Sequence, residues 1–231
     1  MDPYDREFNG IKRYKPISDK HPGLLRVDFV SRKKRQGFFY YVMELGDSRV
    51  PGWEQNPKLY RPRDLAYVRK EAPGYRLPIE ECARIGMALS DALHFIHQQN
   101  LTHRDIKPSN IFFVNGRPKL GDVGLVSDVK PAGAEQTWVG TPGFMPPAPE
   151  APGTIQADVY ALGMVLYVTS TGREPARFPE LSATLVEKTE HNQFTEWNRI
   201  VLKACHPDQA QRYANAAELH SDLVKFSGAV A

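Results

Sequence analysis

The sequence contains the segment His103-Arg104-Asp105-Ile106-Lys107-Pro108-Ser109-Asn110, and Asp122-Val123-Gly124 begins twelve positions after its end. Asp105 and Asn110 stand five positions apart, with Lys107 between them. Phosphoryl transfer requires a carboxylate that accepts or orients a hydroxyl, a cation near the phosphate, and hard oxygen ligands for Mg²⁺. Asp105, Lys107, Asn110 and Asp122 supply these groups, so the pattern predicts phosphoryl-transfer chemistry.

The composition is typical of a globular protein. The chain has 231 residues, of which 41% are hydrophobic and 25% are charged, and this is enough for one large domain or two small ones. Cys82 and Cys205 lie far apart without a paired spacing. This argues against a disulfide framework or a zinc knuckle and favours reduced thiols in the cytoplasm.

Apolar and basic runs bear on possible membrane and nucleic-acid partners. The first residues have no apolar core, so we expect no secretion signal. The most apolar run, residues 159–168, is about half the length that crosses a bilayer and predicts a buried helix. The basic run Arg32-Lys33-Lys34-Arg35 is of a kind that can bind nucleic acid. Because Gly37 follows it, a solvated hairpin turn is the favoured interpretation, and we expect neither a membrane nor a nucleic-acid partner.

Apolar spacing predicts a helix and a hairpin before residue 44. Phe8, Ile11 and Tyr14 recur at helical spacing within residues 5–15. Residues 24–30 and 38–43 predict two strands on either side of the basic turn. Residues 48–62 are polar and rich in proline, which predicts a loop or an inserted segment.

The rest of the chain is predicted to be mainly helical. Residues 79–97 keep one face apolar, and helical patterns return at residues 158–170, 194–205 and 214–226. Residues 111–120 predict a small hairpin that delivers Asp122. His94 and His97 share the first of these helices without a third ligand nearby, so we interpret them as packing or surface residues and not as metal ligands.

The two quoted segments resemble the catalytic loop, H-R-D-x-x-x-x-N, and the D-F-G motif of eukaryotic-like serine/threonine protein kinases. The resemblance covers nearly the whole chain, and His21-Pro22-Gly23-Leu24 is similar to bacterial members of the family. It implies an α+β, protein-kinase-like fold with a truncated β-containing N-terminal lobe and a mainly helical C-terminal lobe. Residues 1–43 would be the remnant of the first lobe, residues 44–47 the hinge, and residues 48–231 the second lobe.

The resemblance also implies a role for each site residue. Asp105 would orient or deprotonate the substrate hydroxyl, and Lys107 would stabilise the transferring phosphoryl group. Asn110 and Asp122 would hold Mg²⁺ and contribute to ATP binding. The hinge residues would bind the adenine edge of ATP through their backbone: Met43, Glu44 and Leu45.

Lys107 together with Thr141 resembles the serine/threonine branch, which implies a protein substrate with a Ser or Thr hydroxyl. Thr137 is a candidate phosphorylation site that would pair with Arg104 if modified, and an unmodified loop hydroxyl is an interpretation of at least equal weight.

The sequence departs from the family pattern at its start. It contains no Gly-x-Gly triplet and no V-A-x-K strand before the first helix, although family members use both to hold the phosphates. Glu7 stands where the family places the glutamate that pairs with that lysine, and we interpret it as an exposed acid. A two-strand remnant leaves an edge and an apolar face uncovered, so we expect a protein partner there.

Two further departures concern the helical part. Val123 replaces the phenylalanine of D-F-G. Glu150 matches the glutamate that pairs with Arg212 in the family only if two extra residues are allowed, so either Glu150 makes this pair or no residue does.

Two functions remain open from the sequence. The first is an active kinase, indicated by the complete set in the catalytic segments. The second is a pseudokinase or regulatory binding module. It is indicated by the missing Gly-x-Gly triplet and V-A-x-K lysine, since the loss of preorganised phosphate-binding groups lowers rates by orders of magnitude.

Overall fold

The computed structural model describes residues 3–129, 139–150, 152–181 and 191–230. The helices in these ranges are α1 (Pro3–Tyr14), α2 (Leu65–Glu71), α3 (Ile79–Gln98), α4 (Ile155–Thr171), α5 (His191–Ala204) and α6 (Ala216–Val230). The strands are β1 (Val27–Lys33), β2 (Phe38–Met43), β3 (Leu101–Thr102), β4 (Ile111–Val114), β5 (Arg117–Leu120) and β6 (Ser127–Asp128). They form three antiparallel pairs, β1–β2, β3–β6 and β4–β5.

The amphipathic helix predicted over residues 5–15 is α1, and the structure shows that it packs against the β1–β2 hairpin. Ile11 and Tyr14 are fully buried, and the Tyr14 hydroxyl donates to the Leu25 carbonyl at 3.0 Å. Gly37 closes the hairpin turn with a left-handed φ of 70°, which glycine adopts without steric cost.

The first strand begins at Val27 and not at residue 24 as predicted, and it continues to Lys33. Residues before Val27 pair elsewhere, because the Leu25 amide donates to the Leu120 carbonyl at 2.9 Å and the Leu120 amide donates to the Gly23 carbonyl at 2.8 Å. These bonds join the front of the chain to β5.

The helical body is built around α3 and α4. Helix α3 has the predicted bounds within one residue, and it packs against α4 and α6. Helix α4 is buried from Ala157 to Thr171, which confirms the helix predicted from its apolar run. No helix among the described residues is both long and apolar enough to cross a membrane.

Short strands position the loops that carry the predicted site. The β4–β5 hairpin was predicted, and its register places Ile111 opposite Leu120. The Gly121 amide donates to the Asn110 carbonyl at 2.9 Å, so the residues after β5 are held beside the residues before β4. Helix α2 was not predicted, although Asp64 caps it by accepting from the Tyr67 amide at 2.7 Å.

Candidate active site

Asp105 is the centre of a buried polar cluster. Its Oδ1 accepts a hydrogen bond from the Thr141 hydroxyl at 2.6 Å, and its Oδ2 accepts one from Asn110 Nδ2 at 2.9 Å. Lys107 Nζ lies 2.8 Å from Asp105 Oδ2 and donates to the Thr141 hydroxyl at 2.9 Å. The structure therefore brings together three of the predicted site residues and adds the Thr141 hydroxyl to them.

The surroundings of Asp105 keep its carboxyl group ionised. Burial raises its pKa, but hydrogen bonds from Lys107, Thr141 and Asn110 and the charge of Lys107 outweigh burial, so the pKa lies below its ordinary value. A carboxylate with a low pKa is a weak base, but it stays ionised at neutral pH and can still accept a hydrogen bond from a hydroxyl. This environment suits orientation of a hydroxyl better than early removal of its proton.

The Asp158 carboxylate binds the backbone of the loop that carries Asp105. Its Oδ2 accepts from the His103 amide at 2.8 Å and its Oδ1 accepts from the Arg104 amide at 2.8 Å. His97 Nε2 donates to Oδ2 at 3.0 Å, so His97 is a packing residue with a hydrogen-bond role. Arg104 has a left-handed φ of 72°, a conformation that costs a non-glycine residue free energy and that these bonds help to fix.

Sequence reasoning placed Asp158 only in a helical pattern and missed this supporting role. The sequence signal that could have revealed this role is an acidic residue at the start of an otherwise apolar helix. A carboxylate that is buried with such a helix requires hydrogen-bond partners. Among the described residues, no cluster of histidine, cysteine and acidic side chains has the arrangement of a metal site, His94 and His97 included.

Asp122 lies at the end of β5 with its side chain exposed and with a left-handed φ of 52°. The hydrogen bond between Gly121 and Asn110 places it on a segment that adjoins the Asp105 cluster. Asn110 donates to Asp105 through Nδ2, which leaves its Oδ1 as the oxygen for a cation. A carboxylate and an amide oxygen are hard donors of the type that Mg²⁺ prefers, so the residues present fit that ion.

Glu7 packs over the Asp122-Val123-Gly124 segment, so the interpretation of Glu7 as an exposed acid is wrong. A Cβ atom at Gly124 would lie 2.9 Å from Glu7 Oε1, which shows how closely α1 approaches this turn. Burial raises the pKa of Glu7, the nearby Asp122 raises it further, and Arg6 opposes both. Val123 is buried in the core.

The predicted hinge residues border a cavity and contact neighbouring segments of the chain. The Glu44 carboxylate accepts hydrogen bonds from Lys119 Nζ at 2.6 Å and from the Arg26 amide at 2.8 Å, so this side chain connects the hinge to β5 and to the residue before β1. A cavity of about 260 Å³ borders the hinge and is lined by Leu25, Met43, Glu44, Leu45, Gly46, Tyr60, Pro62 and Phe112. A Cβ at Gly121 would lie 2.5 Å from the Phe112 ring, so the cavity is close to the residue before Asp122.

The structure resolves the open alternative at Arg212. Its Nη1 and Nη2 donate to the two carboxylate oxygens of Glu150 at 3.0 and 2.9 Å, and both also donate to backbone carbonyls, those of Gln156 and His206. Glu150 therefore makes the ion pair, and the Arg212 side chain is fully buried. Thr137, the candidate phosphorylation site, lies outside the described residues.

The basic run is partly used by the fold. Arg32 is ion-paired with Asp5 and lies over the rings of Tyr4 and Phe8, at 4.8 and 5.1 Å from their centroids. Lys33, by contrast, is exposed at the end of β1.

Comparison with known proteins supports a single family. The family model described as the protein kinase domain matches residues 58–227. The serine/threonine-protein kinase PknG of Mycolicibacterium smegmatis is 26% identical over 209 residues, which cover 88% of this chain and 25% of PknG. The inactive serine/threonine-protein kinase PLK5 of Mus musculus is 40% identical over 100 residues, which cover 41% of this chain and 16% of PLK5.

A solved structure extends the comparison to the fold. The PknI kinase domain of Mycobacterium tuberculosis, crystallised as a double mutant, superposes with a TM-score of 0.66 at 20% identity, covering 99% of this chain and 80% of that one. The predicted α+β, kinase-like fold is confirmed. The chain spans about a quarter or less of the length of the two curated relatives.

Proposed function

The chain belongs to the protein kinase family, with relatives among bacterial serine/threonine kinases, and from this premise we propose that it transfers the γ-phosphoryl group of ATP to protein Ser or Thr hydroxyls. One observation carries the proposal: Asp105 Oδ1 already accepts a threonine hydroxyl at 2.6 Å, and Lys107 reaches the same hydroxyl at 2.9 Å. A substrate hydroxyl that approached this carboxylate would meet both an acceptor and a cation.

The proposed mechanism assigns each step to a side chain. Asp105 orients the attacking hydroxyl and receives its proton late in the transfer. Lys107 offsets the negative charge that develops on the transferring group. Asn110 and Asp122 would hold Mg²⁺, and the ion would neutralise charge on the phosphates.

ATP would extend from the hinge to the Asp105 cluster. The backbone of residues 43–45 would bind the adenine edge, and Phe112 links the hinge cavity to the Asp122 turn. Within this proposal residues 1–43 belong to the first lobe, residues 44–47 form the hinge and residues 48–231 belong to the second lobe. The cytoplasm is the proposed location, supported by the free, buried thiols of Cys82 and Cys205.

Label transfer tests the proposal. Purified chain incubated with Mg²⁺, γ-labelled ATP and a basic protein substrate should place label on Ser and Thr, and chelation of Mg²⁺ should stop the reaction. The Asp105→Asn chain is the matched control. Bound nucleotide without label transfer, or equal labelling by both chains, would reject phosphoryl transfer at this site.

A second candidate function is a regulatory binding module with little or no transfer. The outer face of the β1–β2 hairpin favours it, since Phe29, Phe38, Tyr40 and Val42 are 50%, 46%, 41% and 50% exposed. Such a contiguous apolar face is typical of an interaction surface, and a protein partner would cover it. Turnover of about 1 to 100 per second would contradict this candidate, since intact kinases work in that range.

We expect substitutions on this outer face to leave the fold unchanged. Phe38→Ser should change the free energy of unfolding by no more than about 0.5 kcal/mol, because the side chain faces solvent. Phe39→Ala should cost about 2 kcal/mol or more, because Phe39 packs against the rings of Tyr4 and Phe8 at 5.3 and 5.6 Å. Urea unfolding measures both values. A large loss in Phe38→Ser would mean that the chain itself uses this face.

A further inference from the structure

The inserted segment, residues 48–62, folds back against the hinge. Its ends are held together, because the Arg49 amide donates to the Arg61 carbonyl at 2.9 Å and the Arg63 amide donates to the Asp47 carbonyl at 2.8 Å. The Asp47 carboxylate in turn accepts from the amides of Asn115 and Gly116 at 2.8 and 2.9 Å. The segment is thereby attached to the β4–β5 turn.

Tyr60 connects this inserted segment to the hinge. Its hydroxyl donates to the Gly46 carbonyl at 3.2 Å, and its ring meets Trp53 edge to face with 5.1 Å between centroids. Burial raises the pKa of Tyr60, so the hydroxyl stays protonated and remains a donor at neutral pH. The hydroxyl contact and the ring contact together hold the Tyr60 side chain beside the hinge.

The cavity beside the hinge has the size and the lining of a site for a flat apolar group. Its volume of about 260 Å³ is slightly below that of typical pockets for drug-sized ligands, so the cavity suits a smaller group such as a nucleobase. Two of its lining side chains, Tyr60 and Phe112, are aromatic, and Gly46 contributes the hinge backbone. Aromatic rings bind bases by stacking, and purines present the larger surface for it.

We propose that Tyr60 is a wall of the base-binding cavity and a determinant of affinity for purine nucleotides, a role that rests on the proposed use of ATP. The inserted segment contributes this wall through the Tyr60 side chain, which lines the cavity and is anchored to the Gly46 carbonyl of the hinge.

Nucleotide titration of Tyr60 variants tests the role. Tyr60→Ala should raise the dissociation constant of Mg²⁺ and a non-hydrolysable ATP analogue by about tenfold or more, and Tyr60→Phe, which keeps the ring, by about threefold or less. Binding of tripolyphosphate, which has no base, should be unchanged in both variants. In label-transfer assays Tyr60→Ala should raise KM for ATP and leave kcat unchanged.

Tyr75→Ala is the matched control, because Tyr75 is 58% exposed and does not line the cavity. Equal melting temperatures of the four chains would show that the variants fold. Unchanged nucleotide affinity in Tyr60→Ala, or an equal loss for the analogue and tripolyphosphate, would overturn the role of Tyr60 alone. Failure of the unmodified chain to bind the analogue would overturn both this role and the use of ATP.

Discussion

Replacing Asp105 with asparagine should lower the rate of phosphoryl transfer by about 10²- to 10⁴-fold while the chain stays folded. The amide keeps the size of the carboxylate but loses its charge. An NH₂ group replaces one of the two carboxylate oxygens. It then faces a group that donated a hydrogen bond to that oxygen, either the Thr141 hydroxyl or the Asn110 amide. Lys107 loses its ion pair as well. The substrate hydroxyl would then lack both an acceptor for its proton and a fixed orientation.

Single-turnover label transfer measures the loss. Ser109→Ala is the matched control, since Ser109 lies in the same loop with an exposed side chain and should retain the full rate. Nucleotide affinity should be similar in all three chains. If Asp105→Asn and the unmodified chain label substrate at the same rate, Asp105 does not carry the reaction and the observed label has another source.

The sequence predicted the Asp105 cluster well because most of it is local. Asp105, Lys107 and Asn110 lie within six residues, so the loop conformation alone brings their side chains together. Thr141 comes from a distant segment, and in the sequence it indicated, together with Lys107, only the serine/threonine branch. The structure adds that its hydroxyl bonds both Lys107 and Asp105.

Glu7 and Tyr60 were not predictable in the same way. Glu7 is half-buried because Gly124, far along the chain, has no Cβ and lets α1 approach. Tyr60 lies in a segment whose polar, proline-rich composition indicated only a loop. Its contact with Gly46 depends on how the two ends of that loop are tied, and periodicity does not contain this information.

The Glu150–Arg212 pair shows a third limit. Counting from Thr141 left two alignments open, because a segment that contains several prolines can hold two extra residues without a change of periodicity. Only the geometry distinguishes them, through two parallel hydrogen bonds between the guanidinium and the carboxylate. The pair is buried, so its loss would cost more than the fraction of a kcal/mol that is typical of exposed pairs.

Asp158→Asn should lower the free energy of unfolding by about 3 to 5 kcal/mol, the largest stability loss that we expect from a single polar substitution in this fold. Both carboxylate oxygens accept from N–H groups, those of His97, His103 and Arg104, so the amide would direct its own N–H at a donor on one side. Urea unfolding at pH 7 measures the loss. Asp91→Asn, at an exposed acid paired with His21, is the control and should cost less than about 1 kcal/mol.

The pH dependence of this loss separates charge from packing. Burial raises the pKa of Asp158, but the hydrogen bond from His97, the interactions with His97 and His103, and the Arg104 amide outweigh it, so the folded-state pKa lies below the ordinary value. A carboxyl group whose pKa falls on folding contributes its full stability above the unfolded-state pKa, about 3.9, and loses it as the pH drops through the folded-state pKa. The gap between the unmodified chain and Asp158→Asn should therefore be constant from pH 7 to about pH 5 and shrink below pH 4. If the difference in the free energy of unfolding were equal at pH 3 and pH 7, the stability loss of Asp158→Asn would come from altered packing and not from the missing charge.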